Sequence, residues 1–165
     1  MELIVRRPAE NEREVLTVGV LERDEGLIGD TWRLRGSSRT GDGSAHPDMQ
    51  LNVMNARAAQ LVAGTEDRWA LAGDQLYVDL DLSEENLPPG TRLELGSAVI
   101  EITEQPHRGC AKFAERFGRD ALKFVNSDTG RELRLRGVNA KVIVAGRVTR
   151  GGAVRKLPAG PGFPS

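Results

Sequence analysis

The stretch Gln105-Pro106-His107-Arg108-Gly109-Cys110-Ala111-Lys112-Phe113 holds the only cysteine of this 165-residue chain. A strand-like run, Ala98 to Thr103, leads into the Pro/Gly break, and an amphipathic helical pattern follows, so Cys110 falls where a helix should begin. Free backbone N–H groups and the positive end of the helix dipole at such a position favour thiolate over thiol, and the thiolate is the form that attacks electrophiles and binds metals. His107 adds a proton acceptor, and Arg108 and Lys112 add positive charge. An exposed Cys110 in this setting suits a nucleophile, a sulfur carrier or a soft-metal ligand. A second reading is open beside it. Cys110, Phe113, Ala114 and Phe117 also fall at i, i+3, i+4 and i+7, the spacing of a buried helix face, where cysteine packs as a small hydrophobe. The loop that leads into the cysteine favours display over burial.

Thr31 to Pro47 carries a second set of chemical groups: Arg33, Arg35, Arg39, Asp42 and His46 among Gly and Ser, with little apolar periodicity. Clustered arginines on such a loop can clamp phosphate or carboxylate groups bidentately. The alternative is a solvated loop without a ligand. Asp30, next to Gly29, is expected to shape a turn through an Asx-type bond.

Short strands dominate the elements that must position these groups. Leu16, Val18 and Val20 alternate with Thr17 and Gly19, which predicts a half-buried strand with the larger residues inward. Gln75 to Leu82 alternates strictly, with Leu76, Val78, Leu80 and Leu82 on one face and Gln75, Tyr77, Asp79 and Asp81 on the other. Thr91–Leu95 and Ala98–Thr103, joined by Gly96-Ser97, predict a hairpin with a two-residue loop. Asn139 to Thr149 and Ala153 to Leu157 add strand signals near the end, and Glu2 to Arg6 opens the sheet. Helices are few. Asn55 caps Ala56 to Ala63, with Ala58, Leu61 and Val62 inward and Gly64 as the stop; Cys110 to Phe117 and Asp120 to Val125 follow. The expected fold class is mainly β, a strand-rich, barrel-like domain with a few short helices, over residues 1–157, with a Pro/Gly-rich tail at 158–165.

A net charge of −1 gives no reason to expect a nucleic-acid partner. No apolar run is long enough to cross a bilayer, and one cysteine excludes an intramolecular disulfide, so a reducing, cytoplasmic setting is expected, without a membrane partner. Aromatic residues are 4% and glycines number 19, which points to many turns and a core of Val, Leu, Ile and Ala.

The order of short motifs carries a resemblance. Gly26-Leu27-Ile28-Gly29-Asp30 is followed by Gln50-Leu51-Asn52-Val53-Met54-Asn55, Gly73-Asp74-Gln75-Leu76 and Leu87-Pro88-Pro89-Gly90-Thr91. Pro106…Cys110-Ala111-Lys112-Phe113…Arg116-Phe117-Gly118 and Arg136-Gly137-Val138-Asn139-Ala140 then close the series. This succession, from Val15 to Arg150, resembles the MOSC domain, the C-terminal module of molybdenum cofactor sulfurases. The resemblance implies a β-barrel-like fold and a cysteine, here Cys110, that ligates molybdenum or handles sulfur. It implies a molybdenum cofactor (molybdopterin) used to reduce N-hydroxylated small molecules or, alternatively, a persulfide carried to a metal–sulfur centre. Arg33, Arg35, Arg39, Arg108 and Lys112 are the candidates to hold that cofactor, and Cys110 and His107 those to do chemistry. The His-Gly-Gly segment of many standalone members is replaced here by Gly36 to Pro47, and no lysine matches the pyridoxal-phosphate lysine of the full sulfurases. A sulfur carrier of this kind needs a cysteine desulfurase to load it, and a reductase needs a redox partner. The third reading is a non-catalytic module that binds an anionic small molecule or a partner protein through the arginine loop, with Cys110 as core filling.

Overall fold

Three apolar residues in a row, Leu3-Ile4-Val5, open a strand that is buried on both faces, and this double burial organises the chain. A computed structural model of the protein describes residues 1–158. Of the tail expected at 158–165, all but Pro158 lies outside the described residues. The strands are β1 (Leu3–Arg6), β2 (Glu14–Leu16), β3 (Val18–Glu22), β4 (Gly26–Leu27), β5 (Leu51–Asn55), β6 (Leu76–Val78), β7 (Arg92–Leu95), β8 (Ala98–Ile102), β9 (Val138–Val144), β10 (Gly146–Thr149) and β11 (Val154–Lys156). The α-helices are α1 (Ala56–Ala63), α2 (Ala111–Phe117), α3 (Arg119–Asn126) and α4 (Asp128–Glu132), and 3-10 turns cover Trp32–Leu34, Pro47–Met49 and Glu66–Ala72. The protein is mainly β. Eight strands form one curled sheet in the order β11-β7-β8-β9-β5-β6-β1-β2, and a smaller sheet, β10-β3-β4, packs on it.

β5 and β6 run parallel, so the chain between them must cross over, and α1 with Glu66–Ala72 makes that crossing. The crossover covers the outer face of the large sheet and divides the interior in two. Ile4, Val53 and Leu76 point inward to Leu21 and Leu27 of the small sheet. Leu3, Val5, Met54 and Tyr77 point outward to Ala58, Ala59, Trp69, Phe113 and Val125 under the helices. Central strands covered on both sides carry apolar residues on both sides.

Several local expectations hold. Asn55 caps α1, its side chain accepting from the N–H groups of Arg57 (2.8 Å) and Ala58 (3.1 Å). The hairpin pairs Leu95 with Ala98 across Gly96-Ser97. Four expectations, three about facing and one about a strand's length, do not hold. In β3 the buried residues are Gly19 and Leu21, while Val18 and Val20 are exposed. A Cβ on Gly19 would meet Leu27 Cδ1 at 2.9 Å, Ile4 Cγ2 at 3.2 Å and Val148 Cγ2 at 3.2 Å, so the two sheets approach too closely there for a larger residue. The strand expected to reach Leu82 stops at Val78; Asp81 turns the chain by accepting from the N–H (2.9 Å) and hydroxyl (3.0 Å) of Ser83. Tyr77, expected on a polar face, is fully buried and donates its hydroxyl to the Trp69 carbonyl at 2.7 Å. Leu61, expected inward, is 74% exposed, because α1 lies on the sheet through its alanines. Among the described residues no helix is long and apolar enough to cross a membrane.

Candidate functional site

The segment before Cys110 is pinned at three points. At Gln105, the backbone carbonyl accepts from Asn139 Nδ2 at 3.0 Å. His107 Nε2 lies 2.9 Å from Asp74 Oδ1. At Gly109, the N–H donates to Asn126 Oδ1 and the carbonyl accepts from Asn126 Nδ2, each at 3.0 Å. Gly109 sits against α3 so tightly that a Cβ would meet Leu122 Cδ1 at 2.7 Å and Val125 Cγ2 at 3.0 Å. This clamp delivers Cys110 to the N-cap position of α2. Its backbone carbonyl accepts from Phe113 and Ala114, while its side chain makes no capping bond and is exposed. Phe113, not Cys110, is the buried residue of that stripe, so the core-filling reading of the cysteine does not hold.

Cys110 lines a cavity of about 500 Å³ between this segment, α2, the chain from Arg7 to Arg13 and the turn from Thr31 to Arg35. Seven cationic side chains line it, Arg7, Arg13, Arg35, Arg108, Arg116, Arg136 and Lys112, against one carboxylate, Glu10. Their crowding has an electrostatic signature. Burial first, and then the charges of Arg116 and Arg7, hold Arg13 below its ordinary value; burial and Arg7 do the same to Arg35. Positive groups that depress one another are relieved by an anion placed among them. Arg35 and Arg108 make no side-chain hydrogen bond or ion pair among the described residues, so both are available to a ligand.

Two carboxylates are buried beneath the lining, each paired with one of its arginines. Asp30 takes Arg7 Nε at 2.8 Å and Arg7 Nη2 at 2.7 Å, and it also accepts the Trp32 N–H at 3.0 Å. That last contact is the Asx-type bond expected at Gly29-Asp30, joined to an ion pair that local sequence did not announce. Asp74 lies between Arg136 (Nη1 to Oδ2, 2.6 Å) and His107. Burial pulls the Asp74 carboxyl upward, but Arg136 and His107 together hold it below its ordinary 3.8. Burial, then Arg136, hold His107 below its ordinary 6.5 against the pull of Asp74. The Arg136 guanidinium lies over the Phe113 ring, 5.0 Å from its centroid, and its Nε is buried without a partner among the described residues.

The structure therefore brings together Cys110, His107, Arg35, Arg108 and Lys112 from among the residues singled out in the sequence. Lys112 lines the same cavity and pairs with Glu10 at 3.2 Å. Arg33 and Arg39 do not line it. Arg33 pairs with Glu25 at the surface, and Arg39 donates to Gln105 Oε1 at 2.9 Å. His46 stays local, its Nδ1 accepting the Asp48 N–H at 3.2 Å. Arg7, Arg13, Asp74, Arg116 and Arg136 are not singled out by the sequence as site residues; the only signal for three of them is the presence of Gly73-Asp74, Arg116-Phe117 and Arg136-Gly137 in the motif series. A second cavity of about 420 Å³ lies on the other side of the same segment and shares Arg108.

No family model matches the sequence, and no curated protein sequence does. Solved structures do share the fold. YiiM from Escherichia coli matches over 96% of this chain and 71% of its own, with a TM-score of 0.58 and 20% identity. The YuaD protein from Bacillus subtilis matches over 93% of this chain and 91% of its own, at 0.59 and 16%. A protein described only as hypothetical matches at 0.62 and 20%, over 95% of this chain, which spans 66% of that protein's length. At these identities the likeness is one of fold.

Proposed function

We propose that this chain is a MOSC-type protein whose cation-rich cavity takes an anionic molybdenum cofactor, with Cys110 as the protein's ligand to the metal, and that it reduces N-hydroxylated small molecules there. The observation that carries this reading is an exposed thiol on the wall of a cavity lined by seven cationic side chains. The motif order and the fold shared with YiiM and YuaD support it.

The residues present fit such a group. Arginine forks suit the phosphate of a pterin cofactor, and Arg35 and Arg108 are unengaged. The buried Arg136 Nε lacks an acceptor, which an oxygen of a bound anion would supply. Thiolate suits a soft metal. Among the described residues no three His, Cys, Asp or Glu side chains cluster as metal ligands, so a metal held through Cys110 fits best if it arrives with its own ligands. The cofactor, when bound, supplies two-electron redox chemistry. The chain's part is to neutralise the anion with Arg7, Arg13, Arg35 and Arg116, to present the sulfur from the pinned segment, and to offer His107 as the proton-handling group beside it.

Elemental analysis of protein purified from a cofactor-producing host tests this. The expected result is molybdenum near one per chain and at least a tenfold loss in Cys110→Ser. No molybdenum after reconstitution would overturn the reading. If the Cys110 peptide then gained one sulfur on incubation with a cysteine desulfurase, the exposed thiol would be a persulfide carrier instead.

A further inference from the structure

We propose that Asp74 and Arg136 are positioning residues that hold His107 as a hydrogen-bond acceptor, through Nδ1, toward the cavity, and thereby make the cavity selective for an anion that also carries an O–H or N–H donor.

The geometry determines where the imidazole proton sits. Asp74 has no exposed side-chain surface, and both its oxygens are engaged, Oδ2 by Arg136 Nη1 at 2.6 Å and Oδ1 by His107 Nε2 at 2.9 Å. Arg136 is itself tied down, its Nη2 donating to the Ala72 carbonyl at 2.9 Å and its plane resting on Phe113. A buried carboxylate beside an arginine stays ionised, as the lowered Asp74 value agrees. An ionised carboxylate only accepts, so His107 must place its N–H on Nε2. In a neutral imidazole the other nitrogen is then an acceptor. Nδ1 is on the far side of the ring from Asp74 and has no hydrogen-bond partner among the described residues, and the side chain is 13% exposed on the cavity wall.

Each neighbouring amide or carboxylate side chain already faces one of the cations. Asn52 Oδ1 accepts from Arg7 at 3.3 Å, Asn11 Oδ1 from Arg116 at 3.4 Å, and Glu10 from Lys112 at 3.2 Å. A ligand drawn in by the cations therefore meets donors on most sides and an unengaged acceptor at His107. An anion without a donor leaves Nδ1 facing a negative oxygen, and a mismatch against a largely buried acceptor is discriminated.

Inorganic phosphate and sulfate separate the cases, because at pH 7.5 phosphate keeps an O–H and sulfate has none. Titration calorimetry on the full chain should show phosphate binding about tenfold or more tighter than sulfate. Long-range proton–nitrogen NMR of the 15N-labelled protein should show His107 protonated on Nε2. In Asp74→Asn the amide oxygen goes to Arg136 and the NH2 faces His107 Nε2, so the N–H should move to Nδ1 and the phosphate preference should vanish or reverse. Should that variant fail to fold, the wild-type NMR and His107→Ala decide, the latter with an expected phosphate-to-sulfate ratio within twofold of unity. A wild-type proton on Nδ1, an unchanged tautomer and anion ratio in Asp74→Asn, or no binding of either anion would overturn the inference. Both measurements use the protein and simple anions alone, so their failure is distinct from failure to find molybdenum.

Discussion

Two buried arginine–carboxylate pairs lie under the same cavity, and they are built differently. Arg7–Asp30 is closed. Asp30 receives Arg7 Nε and Nη2, the backbone N–H groups of Arg7 (2.9 Å) and Trp32 (3.0 Å), and Gln75 Nε2 (3.3 Å). The remaining Arg7 nitrogen donates to Asn52 Oδ1 and, at 3.0 Å, to the Gly73 carbonyl. None of the partners of Asp30 can give up its proton near neutral pH. Arg136–Asp74 is open. One of its partners is a histidine, and one of its donors, Arg136 Nε, is buried without an acceptor. A saturated pair has a single hydrogen-bond arrangement and fixes the fold. A pair with a titratable member and an unfilled donor has a second arrangement available, and that is where ligand chemistry can attach.

The largest expected effect breaks this comparison most directly. In Asp30→Asn the new NH2 faces donors on every side and Arg7 is left uncompensated, so chemical denaturation should show a loss of about 3–5 kcal/mol. Asp74→Asn also removes a charge, but its NH2 faces a histidine that can switch tautomer and accept; its loss should be smaller by about 1–3 kcal/mol. Equal losses would mean that the two pairs are alike.

The second effect is on acid stability. His107 in the folded protein titrates below its ordinary 6.5, so the unfolded chain binds the extra proton first, and stability should begin to fall as pH drops below about 6.5. Asp74, held below 3.8, contributes stability that is present above that value and lost as pH falls further. Unfolding free energy measured from pH 8 to pH 5 should decline in the wild type and stay flatter in His107→Phe, while a slope unchanged by the substitution would remove histidine from the account.

The smallest effect concerns the loop arginines. Arg35→Ala should weaken phosphate binding about three- to tenfold and leave the Tm of the unliganded protein unchanged or higher, because burial and Arg7 already disfavour its charge. Arg33→Ala, which removes a surface pair with Glu25 outside the cavity, should change affinity by less than about twofold.

The features legible in the sequence are those whose cause lies within a few residues. Asn55 caps α1 because its side chain reaches two N–H groups of the first turn, and the Gly96-Ser97 loop returns the chain onto itself. Cys110 sits at a helix start because the Pro/Gly break and the following apolar spacing are contiguous with it. The features that were not legible depend on what a face meets. Alternation in β3 shows that there are two faces and not which one is buried; the inward choice fell to Gly19 because another sheet presses there. Alternation in β6 misassigned Tyr77 because the strand is covered on both sides. Arg33 and Arg35 are two residues apart and equivalent by composition, yet only Arg35 turns into the cavity.

The sequence by itself determined the mainly β character, the short helices and the placing of a single thiol at the head of one of them, since turn chemistry, capping and local periodicity act over a handful of positions. Only the tertiary structure decided that this thiol shares a cavity with seven cations, and that Asp74 joins His107 to an arginine 62 residues further along the chain. The reason is physical: ion pairs and close sheet contacts join residues remote in sequence, and their energy appears only when burial removes water from between them.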